Sequence, residues 1–247
     1  MISPTRRRFL GAAALLGGAA CVRNAQTLPR VDEPSPAVQE LAEAITAGAT
    51  SPRERAIAIY RFVRDEIRFG FTPYFDEARP GQTLDAKRGH CNPTGVLFAS
   101  LLHAVNVDAL LHFVTIDNRV LHGLGGFPAR LNHAYTEVRL DGGWIPVDGY
   151  IVDPALFAGA RAKLERSGRR LGWGMHRDAV QEWDGREAAM GQLCDPAMVL
   201  EDHGTYVDAL DFFQSEAYSQ RLGGVAGAMY RWFGVDAINR AIDNVRA

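Results

Sequence analysis

The chain has 247 residues, of which 47% are hydrophobic and 23% are charged, and its formal net charge is −2. These values are ordinary for a globular protein, and the length suits one sizeable domain with extensions. The near balance of charge argues against nucleic-acid binding, which favours a basic face, and three cysteines are too few for a disulfide framework.

Residues 1–25 have the pattern of an export signal. The run Arg6–Arg8 precedes an apolar stretch, Phe9–Ala20, that is too short to span a bilayer as a mature helix. The segment resembles a twin-arginine signal, and an ordinary secretory signal is the alternative. Either signal predicts export to a periplasmic or other extracytoplasmic location. Cys21 follows a stretch similar to a lipoprotein processing site, so its lipidation would be the only membrane tether; cleavage nearby, with Cys21 incidental, is the other interpretation.

The next segments predict a linker, two helices and a long loop. Residues 26–36 are proline-rich and polar, which is typical of a linker. Helical spacing of apolar residues predicts helices over 37–47 and from Ser51 to about Arg68, with Ser51 as the N-cap of the second. Residues 71–90 show no sustained period and predict a long loop that leads to the next helix.

Cys91 lies at the start of the next predicted helix. The sequence Asn92-Pro93-Thr94 is a typical helix start, and the following run to Val105 is apolar nearly all round. Such a helix should be central and buried. The unpaired N–H groups and the positive dipole end at its start would favour a thiolate on Cys91.

Three strands are expected after this helix. Residues 107–116 predict a buried strand, and residues 132–140 carry the strongest strand pattern in the chain. The turn Asp141-Gly142-Gly143 should return the chain into a further strand over 144–148. We therefore expect an antiparallel hairpin.

The register of this hairpin predicts a contact. If Asp141 and Gly142 are the two residues of a type I′ turn, Tyr135 faces Asp148. His133 then lies on the same face, diagonal to Asp148 and within reach of it. A three-residue loop without a bulge would place His133 and Asp148 on opposite faces, but the apolar pattern favours the first register.

The C-terminal part shows weaker patterns. We divide the chain into a core over 37–158 and a helical extension packed on it over 159–247. Helices are expected at 155–166, 206–215, 220–233 and 235–245.

Cys91, His133 and Asp148 have the chemistry of an activated thiol nucleophile. A thiolate needs a base beside it, and a carboxylate orients that base. Asp153 is a weaker candidate for the carboxylate, because its place before a proline favours a helix cap.

Two further residues are candidates for supporting roles. His90 could tune the thiol, although we expect it to point away. Gln82, on the preceding loop, is a candidate second donor to an oxyanion besides the backbone N–H of Cys91. The remaining histidines lack ligand spacing, so the sequence predicts no metal and no cofactor.

These motifs resemble the transglutaminase-like superfamily over about residues 55–155. The similar parts are Gly89-His90-Cys91 before a helix, Asn132–Val138 opening a strand, and Gly143–Asp148 on the next strand. The resemblance implies a papain-like α+β core, in which a central helix with the cysteine packs on an antiparallel sheet. It also implies a triad of Cys91, His133 and Asp148 that acts on amide bonds of a protein or peptide, by hydrolysis or by acyl transfer. Asn92 departs from the family pattern, which often has a bulky aromatic residue there.

Two other functions remain to be weighed. A catalytically silent peptide-binding module could use the same groove, although it would not need all three residues. A thiol–disulfide exchange role is disfavoured because no Cys-x-x-Cys motif occurs. Cys91 and Cys194 could pair in an oxidising compartment, but a catalytic Cys91 requires that both be free.

Overall fold

The structure is a computed structural model that describes residues 34–125, 127–218 and 234–247. The predicted export signal, most of the predicted linker and the whole of the predicted helix at 220–233 lie outside these residues. The described helices are α1 (Pro36–Thr46), α2 (Pro52–Glu66), α3 (Pro80–Ala86), α4 (Cys91–Ala104), α5 (Pro154–Ser167), α6 (Ala209–Phe213) and α7 (Val235–Arg246).

The strands form one main sheet and two short pairs. They are β1 (Arg68–Phe69), β2 (Arg88–Gly89), β3 (Ala109–Asp117), β4 (Arg130–Leu140), β5 (Gly143–Asp148), β6 (Leu171–Gly172), β7 (Met175–His176) and β8 (Val199–Tyr206). The main sheet is antiparallel, with the strand order β5-β4-β3-β8. A parallel pair, β1 with β2, lies just before α4, and β6 pairs with β7.

Helix α4 is the centre of the core. It packs against α1, α2 and α3 and against β3 and β4 of the sheet. Leu97, Phe98 and Leu101 are completely buried, as the apolar sequence of this helix requires. The predicted arrangement of a central cysteine-bearing helix on an antiparallel sheet is therefore confirmed.

The hairpin of β4 and β5 has the predicted register. Asp141 and Gly142 have positive φ values of 52° and 82°, as a type I′ turn needs at both central positions. Leu140 pairs with Gly143, and Tyr135 pairs with Asp148. The turn therefore determines which side chains of the two strands lie next to each other.

Two regions differ from the sequence-based expectation. Residues 71–90 contain helix α3 and a 3-10 turn, Phe75–Glu77, instead of a continuous loop. The region 159–247 is not only helical, because it contributes β8 to the edge of the main sheet beside β3. An edge strand with polar, exposed residues lacks the apolar alternation that reveals a half-buried strand, which explains the error.

Helix α7, the last described helix, packs on α5. Arg246 binds the carboxylate of Asp153 at 2.6 Å and also donates to the carbonyl of Phe69. Within the described ranges, no helix is both long and apolar enough to cross a membrane.

Candidate active site

Cys91 is the first residue of α4, and its side chain is partly exposed. The end of β5 comes close to it through Gly149, where a Cβ would lie 2.6 Å from the carbonyl oxygen of Cys91 and 2.4 Å from that of Ala134. Only glycine permits such an approach. Gly149 therefore allows the helix start, β4 and β5 to meet at one point.

His133 and Asp148 meet at this point. Their side chains lie diagonally across the β4–β5 hairpin, and His133 Nε2 is 2.6 Å from Asp148 Oδ1. Both residues are buried, with 0% and 2% exposure. The structure thus brings together the histidine and the carboxylate that the register predicted.

A segment far along the chain holds the carboxylate. Asp148 Oδ2 accepts backbone N–H bonds from Gly191, Gln192 and Leu193 at 3.0, 2.7 and 3.2 Å, and Oδ1 accepts one from Tyr150 at 2.9 Å. Four backbone donors and one imidazole leave the carboxylate oriented and its buried charge well compensated. Sequence analysis missed this segment because backbone donors have no sequence motif.

The electrostatics favour a charged pair. Burial alone would lower the pKa of His133, but the charges of Cys91 and Asp148 outweigh burial and raise it to about 10. Burial would raise the pKa of Asp148, but His133 and the backbone donors lower it. His133 Nδ1 is buried without a hydrogen-bond partner among the described residues, and Cys91 is one of the groups that raise the pKa of this imidazole.

This arrangement can move a proton. The imidazole is anchored at Nε2 by Asp148, and its Nδ1 is available to exchange a proton with the nearby thiol. The remaining cysteine of the described residues, Cys194, is also free, but burial raises its pKa to about 12. Cys91 is therefore the reactive thiol of the described chain.

The buried pair of His133 and Asp148 predicts that the folded protein loses stability at both extremes of pH. The pKa of His133 is about 10 in the folded protein, and the ordinary value is about 6.5. Its contribution to the free energy of unfolding is therefore complete below about pH 6.5 and is lost as pH rises through about 10. The pKa of Asp148 is lowered, so its contribution is present above about pH 3.9 and is lost as pH falls. We expect the urea midpoint of the wild type to fall in both directions.

The variant His133→Gln separates this effect from other alkaline titrations. Measured beside the wild type, it should show a smaller fall of the urea midpoint between about pH 8 and pH 11. Equal alkaline slopes for the two proteins would contradict the assignment of this stabilisation to His133.

The other predicted site residues lie in different surroundings. Gln82 is in α3, where its Oε1 accepts the backbone N–H of Arg79 at 2.9 Å, and its described bond is to none of the three central residues. Asp153 caps α5 through the N–H of Leu156 and is not the partner of the histidine. The side chain of His90 has its described hydrogen bond with Asp76.

His90 points toward Asp76, a residue that the sequence analysis did not single out. His90 Nε2 lies 2.7 Å from Asp76 Oδ1, and the side chain of Asn92 also binds this oxygen. Asp76 falls in the stretch without a regular period, so no pattern signalled it. In the part of the chain that the structure describes, no three histidine, cysteine or acidic side chains group as metal ligands would.

One comparison with known proteins indicates a class for the first part of the described chain. Residues 39–149 match the model of the transglutaminase-like superfamily, so this segment is similar to that superfamily. The matched segment runs from within α1 to just after β5 and therefore includes Cys91, His133 and Asp148. No curated protein sequence matches the chain significantly.

Two solved structures are similar to part of the chain. One is a candidate cysteine protease from Cytophaga hutchinsonii, at 18% identity and a TM-score of 0.40, covering 50% of this chain and 42% of that one. Another is a candidate protease from Parabacteroides distasonis, at 12% identity and a TM-score of 0.36, covering 47% of this chain and 24% of that one. The chain spans less than half of each, and at these TM-scores neither likeness carries an argument about activity.

Proposed function

We propose that this protein is a transglutaminase-like cysteine enzyme that cleaves amide or peptide bonds, or transfers their acyl group. Cys91 is the nucleophile, His133 the base and Asp148 the residue that orients the base. The observation that carries the proposal is the buried bond between His133 and Asp148, with Nδ1 left available beside a cysteine at a helix start. A pure binding site has no use for this arrangement.

The proposed reaction has two stages. His133 takes the proton of Cys91, and the thiolate attacks the carbonyl carbon of the amide, forming a C–S bond. The imidazolium returns the proton to the leaving nitrogen as the C–N bond breaks, which leaves a thioester on Cys91. Water then attacks the thioester, losing a proton to His133, and the acid leaves as the thiol is restored. An amine in place of water would give acyl transfer.

We propose hydrolysis as the outcome of the second stage, since it needs no second substrate site. The substrate would be a protein or peptide outside the cytoplasm, because residues 1–25 resemble a twin-arginine export signal. Lipidation of Cys21 would tether the enzyme to a membrane.

Turnover of a peptide mixture tests the proposal. The folded chain without residues 1–25 should cleave or modify members of a random peptide library detected by mass spectrometry, and Cys91→Ala should have no such activity. A new carboxyl end indicates hydrolysis, whereas an added amine indicates transfer. Peptide binding by both proteins without turnover would overturn the proposal in favour of the silent binding module.

A further inference from the structure

One buried carboxylate holds the residues on both sides of Cys91. Asp76 is 3% exposed, and its Oδ1 lies 2.7 Å from His90 Nε2 and 2.8 Å from Asn92 Nδ2. Its Oδ2 accepts the hydroxyl of Tyr218 at 2.9 Å. A carboxylate that receives three donors in a buried place fixes the orientation of each donor.

This contact determines which way the amide of Asn92 points. A carboxylate only accepts hydrogen bonds, so the NH₂ group of Asn92 must face Asp76. The amide oxygen then faces the other way, where the sulfur of Cys91 lies 3.6 Å from Asn92 Oδ1. The Cys91 thiol therefore donates to Asn92, a bond that exists only while the sulfur is protonated.

The thiol proton thus has two acceptors. Asn92 Oδ1 holds it on the sulfur, whereas His133 Nδ1, which no described residue engages in a hydrogen bond, can remove it. An amide oxygen also repels a thiolate, because it is the negative end of the amide dipole and the thiolate carries a full negative charge. Asn92 and His133 therefore act on the protonation of Cys91 in opposite directions.

We propose that Asn92, positioned by Asp76, accepts a hydrogen bond from the Cys91 thiol and so favours the thiol form, against His133, which favours the thiolate. The inference deepens the proposed function, because it concerns the same nucleophile. Asn92 touches the reacting sulfur, whereas Asp76 acts through Asn92 and is a positioning residue. The titratable groups that lie around Cys91 and its two neighbours come from several elements: His133, Asp148, Asp76, His90, Tyr150 and Tyr218.

The test is the rate of iodoacetamide labelling of Cys91 at two pH values. We expect Asn92→Ala to raise the ratio of the rate at about pH 6 to that at about pH 9 by about two- to tenfold, since one net hydrogen bond is lost from the thiol form only. A merely structural role of Asn92 would lower the rates or the stability without raising this ratio. Tyr218→Phe is the matched control: it removes a bond of the same carboxylate on its other oxygen and should leave the ratio unchanged.

A second variant keeps the test decisive if Asn92→Ala does not fold. Asp76→Asn offers an NH₂ group in place of a carboxylate oxygen, which lets the amide of Asn92 reverse and donate to the sulfur, so the ratio should rise again. A ratio that stays unchanged or falls in the folded variants overturns the inference. If the proposed function were wrong, the wild type would show no peptide turnover, whatever the ratio of labelling rates in the variants.

Discussion

We expect His133→Ala to lower peptide turnover by about 10²–10⁴-fold, the usual contribution of a positioned general base. Without the imidazole, the thiol proton has no acceptor that releases the sulfur, and an ordinary thiol is only a few per cent thiolate at pH 7. Labelling of Cys91 by iodoacetamide at neutral pH should therefore slow, because less of the sulfur is thiolate. The loss should be limited to about tenfold, because the remaining thiolate is intrinsically more nucleophilic and offsets part of it. Intact-mass spectrometry with peptide mapping measures this rate.

A neighbouring histidine provides the control. His112, on β3, stacks on Tyr135 at a ring distance of 4.5 Å and binds Glu137 and Asp202. His112→Ala removes an equally large ring from the sheet but should leave the labelling rate of Cys91 within about twofold of the wild type. Slow labelling of the wild type that His133→Ala does not change would favour the silent binding module.

Asp148→Ala should be the most destabilising single substitution in the site, at about 3–5 kcal/mol. It would leave His133 and the N–H groups of the 191–193 segment buried without their acceptor. Urea unfolding followed by circular dichroism at pH 7 gives the free energy of unfolding for the variant and the wild type.

An exposed carboxylate in the same hairpin is the matched control. Asp141 pairs with Arg53, and its side chain is 75% exposed. Asp141→Asn keeps a residue that tolerates the left-handed turn conformation and should change the free energy of unfolding by about 1 kcal/mol or less. If Asp148→Ala were no more destabilising than Asp141→Asn, the backbone donors would not be holding the carboxylate.

The proximity of His133 and Asp148 could be predicted because it is a local property. The two residues lie on adjacent strands joined by two turn residues, and the turn type determines the register. The place of Cys91 at the start of a buried helix was likewise evident, because an unbroken apolar run follows a typical helix start.

The use of Gln82 could not be predicted in this way. The residue was chosen as a donor to an oxyanion because it precedes Cys91 on what was expected to be a loop. The segment instead forms α3, and the amide oxygen of Gln82 serves the start of that helix. A side chain that can cap a helix or serve a site carries no signal in the sequence to separate the two uses.

The sequence by itself determined the central helix with Cys91 and the hairpin that joins His133 to Asp148, since these follow from periodicity and from one short turn. The α+β class was implied by the resemblance of its motifs to a known family. Only the tertiary structure decided what surrounds them. The 191–193 segment reaches Asp148 through backbone N–H groups, Asp76 reaches Asn92 from an irregular stretch, and β8 completes the sheet as a polar edge strand. These contacts join segments that are far apart in the sequence. Neither backbone donors nor a single buried carboxylate has a sequence pattern that predicts which distant segment it will contact.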